Sequence, residues 1–86
     1  MYAVEYLPEA AKELASLDKP MQKIVKEKID TLSQNPSALK NNIKVLKGKH
    51  SGKYRLRVGD HRIIYRLKNE TITITIIRIG HRKEVY

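Results

Sequence analysis

The stretch YRLRVGDHRIIYRL, from Tyr54 to Leu67, is two alternating runs hinged on Gly59-Asp60. Glycine first in a two-residue loop suits a type II′ turn, whose twist matches that of the flanking strands. The stretch predicts a β-hairpin in which Val58 pairs with His61, Arg57 lies opposite Arg62, and Arg55 lies opposite Ile64. Side chains alternate along a strand, so Tyr54, Leu56, Ile63, Tyr65 and Leu67 share one face, that of the core. The other face carries Arg55, Arg57 and Arg62. Like charges directly across a strand pair cost about 0.2–1 kcal/mol. Such a face makes physical sense if it meets a polyanion. All six arginines (Arg55, Arg57, Arg62, Arg66, Arg78 and Arg82) fall in the last third, while the first 54 residues rely on lysine. A guanidinium is planar and grips phosphate with two parallel hydrogen bonds, which an ammonium does not.

Beyond the hairpin, Lys68-Asn69-Glu70 reads as a turn and Thr71–Ile79 (TITITIIRI) as a strand. Ile72, Ile74 and Ile76 are expected on one side of it, with Ile77 and Ile79 on the other, as in a central strand. Gly80 frees the backbone just before His81, Arg82 and Tyr86. Upstream, Ser37 to Lys53 is the least regular stretch. Its Ile43, Val45 and Leu46 are expected to tuck one short segment against the core, leaving Lys44, Lys47, Lys49, His50 and Lys53 exposed. Before it lie two helical patterns. Pro8 opens the first, with Ala10, Ala11, Leu14 and Leu17 as its buried stripe. Asp18 caps the second, where Met21, Ile24, Val25, Ile29 and Leu32 recur at helical spacing until Asn35-Pro36 ends the run. Tyr2–Tyr6 is a first strand, with at least one of its two tyrosines buried. The order is β-α-α-β-β-β: an N-terminal strand, an α-helical hairpin, then a mostly antiparallel sheet, an α+β fold.

The chain has 86 residues and reads as one domain, residues 1–86, with a single modest core. It has no cysteine, so neither disulfides nor thiolate metal sites are available, and an intracellular, cytoplasmic location fits. The start, MYAVEYLPEAAKEL, lacks the basic-then-apolar pattern of a signal peptide, and no apolar run approaches the roughly 20 residues of a membrane span. The net charge of +9 favours nucleic acid or an acidic protein as partner. Lys53 to Tyr86 holds nine cations against three acids, and the first 52 residues nine against six. There are no paired carboxylates, no Ser/His/Asp order and no glycine-rich phosphate loop. Histidines at 50, 61 and 81 do not show zinc spacing.

In this order of elements, Leu46-Lys47-Gly48, the hairpin Tyr54-Arg55-Leu56-Arg57…His61-Arg62-Ile63-Ile64-Tyr65, and the ending Ile79-Gly80-His81-Arg82-Lys83-Glu84-Val85-Tyr86 follow one another. Together they resemble the RelE/ParE superfamily of bacterial and archaeal toxins from toxin–antitoxin pairs, over nearly the whole chain. The tail looks like the RelE branch, whose members cut messenger RNA in the ribosomal A site; other branches inhibit DNA gyrase. The resemblance implies a RelE-like fold and a cognate antitoxin, small, acidic or amphipathic-helical. It also implies the ribosome and messenger RNA as partners, with DNA reached only through the antitoxin complex. It implies that Arg55 and Arg57 flank the scissile phosphate, Arg62 supports the transition state, Arg82 is the tail arginine, and Tyr86 stacks on or orients a nucleotide. Lys47 occupies the basic position of its motif, and Lys53 and His50 are expected to touch RNA beside it. The family's best-known member has lysines where this chain has Arg55 and Arg57.

Metal-free RNA cleavage sends the 2′-hydroxyl against its own phosphorus, leaving a 2′,3′-cyclic phosphate and a 5′-hydroxyl, with no cofactor. It needs a base, a stabiliser of phosphoryl charge and an acid. Fixed arginines stabilise, because pre-placed donors need little reorganisation as charge develops. They stay protonated, so Arg57 is no ordinary base. Histidine, with a reference pKa of about 6.5, can be one. His81, beside Arg82 in the tail, is the candidate proton carrier; its plainer reading is a turn histidine that stacks or contacts phosphate. His61 flanks the turn and can merely bond locally. Two non-catalytic alternatives stand beside the nuclease: a gyrase inhibitor and a plain RNA-binding module.

Overall fold

The computed structural model describes residues 2–68 and 70–81. A five-stranded sheet in the order β1-β5-β4-β3-β2 is built from β1 (Ala3–Tyr6), β2 (Ile43–Val45), β3 (Tyr54–Val58), β4 (His61–Lys68) and β5 (Thr73–His81). Only β1–β5 is parallel; every other pairing is antiparallel. Helices α1 (Pro8–Ser16) and α2 (Lys19–Gln34) follow β1. The predicted β-α-α-β-β-β frame is present, with the short segment at Ile43–Val45 pairing as an edge strand against β3.

Local chemistry accounts for each boundary. Pro8 sits in the first turn of α1, where its missing N–H is no loss. Asp18 caps α2 by accepting from Met21 N–H at 2.9 Å. The Gln22 side-chain amide donates to Ala15 and Leu17 carbonyls at 3.1 and 2.8 Å, tying the start of α2 to the end of α1. Pro36 ends the second helix, because the residue before a proline avoids the α region. Ala10 and Leu14 from α1 and Val25, Ile29 and Leu32 from α2 bury against Leu56, Val58, Ile63, Tyr65, Ile74, Ile76 and Ile79 of the sheet. Ala11 and Ile24, expected in those stripes, are exposed at their borders. Tyr2 and Tyr6 are both half-buried rather than one fully buried, since β1 is an edge strand.

The hairpin register is the predicted one: Val58↔His61, Arg57↔Arg62, Leu56↔Ile63, Arg55↔Ile64 and Tyr54↔Tyr65. Gly59 has φ of 58° while Asp60 stays at negative φ, as a type II′ turn requires. Tyr54 and Tyr65 stack with centroids 5.3 Å apart, and burial raises the Tyr65 hydroxyl pKa above its ordinary value.

The last strand departs from simple alternation. Between Ile64/Tyr65 on β4 and Arg78/Ile76 on β5 the register shifts, leaving Ile77 as one extra residue in β5. Ile79 therefore rejoins Ile74 and Ile76 in the core instead of facing away with Ile77. Ile72 precedes the strand, in a turn at φ 48°, and is 54 % exposed rather than sharing the face of Ile74.

Candidate nucleic-acid interface

Reading the registers across the sheet assembles one face from four strands. The row Lys44–Arg55–Ile64–Arg78 lies beside the row Arg57–Arg62–Gly80, and Arg66 and Lys68 continue the face along β4. Alternation thus gathers seven cations onto the side of the sheet opposite the helices. Ile64 is fully buried on this polar side, outside the main core cluster, flanked in register by Arg55 and Arg78. Arginine stems cover apolar surface while their heads stay in water, which explains how an isoleucine is buried there.

Three of the predicted residues converge. Arg55, Arg57 and Arg62 line a cleft of about 140 Å³ together with Asn41, Asn42 and Lys44. The Asn42 side-chain amide lies 3.5 Å from the Arg57 carbonyl, closing the cleft at the β2 end. Lys44, Asn41 and Asn42 escaped sequence reasoning. The alternation of Lys44 between Ile43 and Val45 was a visible signal for it, but its strand partner was not.

The other predicted residues stand elsewhere. Lys47, His50 and Lys53 belong to the β2–β3 connection, built on a 3₁₀ turn at Gly48–His50. That connection joins the strands at the Val45–Tyr54 end, three residues or ~10 Å from Arg57 along β3. His81 ends β5 in register with His61, and the two rings meet edge-on at 5.9 Å. Alternation puts both histidines on the helix side of the sheet, one step from the Arg62–Gly80 pair. His61 Nδ1 is buried there without a hydrogen-bond partner among the described residues. Arg82 and Tyr86 lie outside the described residues.

Among the described residues, acids lie against Arg78 and Lys68. Arg78 Nε lies 2.8 Å from Glu9, and its Nη2 lies 2.9 Å from Glu13. Lys68 Nζ lies 2.7 Å from Glu5, which also accepts from the Thr75 hydroxyl at 2.8 Å. Those two bonds, Lys68 first, hold the Glu5 carboxyl below its ordinary pKa. The arginine cluster of the sequence therefore splits: Arg78 braces the fold, while Arg55, Arg57 and Arg62 make the cleft. No group of three or more metal-ligating side chains occurs among the described residues, and none of their helices is long and apolar enough to cross a membrane.

Comparison with known proteins places this geometry in a family. A toxin from Mycobacterium tuberculosis, RelG, is 28% identical over 86 residues, spanning 99% of this chain and 95% of its own. The crystal structure of the RelBE2 toxin–antitoxin complex from the same organism superposes with a TM-score of 0.82 at 29% identity, covering 94% of this chain and 98% of that one. The archaeal RelE–RelB complex of Pyrococcus horikoshii gives 0.79 at 28% identity, covering 98% of each chain. The family model described as the ParE toxin of the type II toxin–antitoxin system, parDE, matches residues 4–86, and the chain belongs to that family, within the RelE/ParE superfamily.

Proposed function

We propose that this protein acts as a ribosome-dependent, metal-free endoribonuclease, the toxin of a toxin–antitoxin pair, cutting messenger RNA in the A site in the cytoplasm. The observation that carries the reading is the Arg57–Arg62 pair, held opposite each other at the mouth of a cleft with Arg55 and Lys44. A strand pair that tolerates this repulsion is built for a phosphodiester. In the cleft, Arg55 and Arg57 take the non-bridging oxygens of the scissile phosphate, and Arg62 meets the charge that grows as the 2′-hydroxyl attacks. Arg82 adds a second stabilising cation, and Tyr86 stacks on a base, worth ~1–3 kcal/mol. His81, at the strand end, carries a proton by reaching round from the helix side. Lys47, His50 and Lys53 hold the RNA strand further along. The ribosome supplies the orientation of the 2′-hydroxyl that a site without a tuned base lacks.

The partner that restrains such a nuclease is a cognate antitoxin. Its match on this molecule is the groove of about 700 Å³ between β1 and α2, lined by Val4, Tyr6 and Ile29, with Lys19, Lys23 and Lys26 along the rim beside Glu27 and Asp30. That combination suits an amphipathic helix with acids along its border.

The family description, naming ParE, favours a second reading: a non-enzymatic inhibitor of DNA gyrase. One experiment separates the two. Purified protein is added to ribosomes programmed with messenger RNA and, separately, to gyrase and relaxed plasmid. The nuclease reading expects A-site cuts ending in 2′,3′-cyclic phosphate and normal supercoiling. Blocked supercoiling with intact RNA overturns it.

A further inference from the structure

Glu13 reaches the last strand at the point where β1 stops. The parallel β1–β5 ladder ends at Tyr6↔Ile76, and the extra residue Ile77 comes directly after it. From there a helix, not a strand, lies beside β5, so its edge N–H groups need another acceptor. Glu13 Oε1 accepts from Ile79 N–H at 2.8 Å. The same carboxylate takes Arg78 Nε at 3.2 and 3.1 Å and Nη2 at 2.9 Å. Its side chain is only 23% exposed. Glu9 meets the same guanidinium from a side chain 64% exposed, and among the described residues it accepts from no backbone N–H. One largely buried carboxylate thus replaces the missing neighbour strand at a bulge, the kind of irregularity that re-aims the residues after it.

The residues after this bulge pair with β4 at Arg62, a cleft residue, and at its neighbour His61. Gly80, next to Ile79, faces Arg62, and His81 faces His61. We propose that Glu13 is a positioning residue: by holding Ile79 N–H and the Arg78 guanidinium together, it sets the direction in which the end of β5 meets Arg62. It also keeps Arg78 turned toward α1, so that phosphate does not draw that arginine out of the fold. This inference rests on the ribonuclease reading, because only then does the strand end carry chemistry.

The variants Glu13→Ala, Glu13→Gln and Glu9→Ala test it. Single-turnover cleavage on programmed ribosomes should fall roughly tenfold or more at saturating Glu13→Ala, as small displacements of reacting groups cost rate. The half-saturating concentration should stay within about twofold of the parent, since binding is not what is lost. Glu13→Gln keeps an acceptor for Ile79 N–H but cannot also serve both guanidinium nitrogens, so its rate should fall between the two. Glu9→Ala should match the parent within about twofold. Independently of cleavage, the Ile79 amide should exchange with deuterium at least roughly tenfold faster in Glu13→Ala while Ile63 is unchanged. The His81 imidazole resonances should also move while those of His50 do not. Unchanged Ile79 exchange and His81 resonances would overturn the proposal. So would a Glu13→Ala rate equal to that of Glu9→Ala. If the parent protein cleaves nothing, the ribonuclease reading fails by itself, and the exchange and resonance measurements still decide whether Glu13 anchors the strand. Should Glu13→Ala not fold, the same measurements on Glu13→Gln decide it.

Discussion

Arginine at position 62 has different surroundings from arginine at position 78, though the two lie on one face of one sheet. Arg62 opens into a cleft with Arg55 and Arg57, whereas Arg78 is clasped by Glu9 and Glu13. Arg62→Ala should therefore lower single-turnover cleavage on ribosomes by roughly 10²-fold, the usual loss for one preorganised donor. Lys12→Ala and Lys23→Ala, on exposed helix positions, control for bulk charge. If they cost as much, the face is a diffuse binding surface and not a site. His81→Gln keeps polar contacts but cannot titrate. If His81 carries a proton, the variant should lose ~10²–10⁴-fold and its pH–rate profile should flatten near neutrality. A further residue-scale prediction concerns Glu5, whose pKa is lowered by its bonds from Lys68 and Thr75. A carboxylate with a depressed folded pKa contributes stability above its unfolded pKa, about 4.3 for glutamate, and loses it as pH falls through the folded value. Glu5→Gln should be less stable than the parent at neutral pH in urea titrations, and the gap should close as pH falls through that lower value.

At the scale of elements, the β3–β4 hairpin holds two interests in tension. Its core face pairs Leu56 with Ile63 and stacks Tyr54 on Tyr65, while its outer face opposes Arg57 to Arg62. The hairpin tolerates that repulsion because the apolar face outweighs it: each buried leucine or isoleucine contributes about 1.5–3 kcal/mol, against about 0.2–1 kcal/mol for the like pair. Arg57→Thr, a strand-forming neutral residue, should raise the stability of the free protein by up to about 1 kcal/mol in a denaturant titration while reducing cleavage. A variant both less stable and less active would mean that Arg57 braces the hairpin instead of straining it. The hairpin was also the element most legible in the sequence. A two-residue loop with glycine at its first position leaves one register, and that register places every side chain. The β5 bulge was not legible: in TITITIIRI the repeated isoleucines satisfy either face, so composition offers no sign of where one residue is skipped.

For the molecule as a whole, the cleft cations of the sheet face and the groove between β1 and α2 lie on opposite sides of the sheet. RNA binding by the first should be strongly salt-dependent. With Lys44, Arg55, Arg57 and Arg62 at the cleft, a log–log salt slope near ~−3 is expected, from about −0.7 per phosphate contact on single strands. A slope near zero in a filter-binding titration would deny the phosphate contacts. From the chain alone came the element order, the hairpin register, the helix boundaries at Pro8, Asp18 and Pro36, and the gathering of Arg55, Arg57 and Arg62 on one face. All of these arise from rules acting within a few residues: alternation, capping and turn geometry. Only the tertiary structure decided that Lys44 and two asparagines complete the cleft. It alone showed that Lys47, His50 and Lys53 lie in the connection before the Tyr54 end of β3, and that His81 falls on the helix side of its strand. It alone withdrew Arg78 from the cleft by setting it against Glu9 and Glu13, some 65 residues earlier in the chain. The physical reason is that an ion pair depends on distance in space and a strand's neighbours on sheet order. Neither leaves a periodic trace along the chain that carries it.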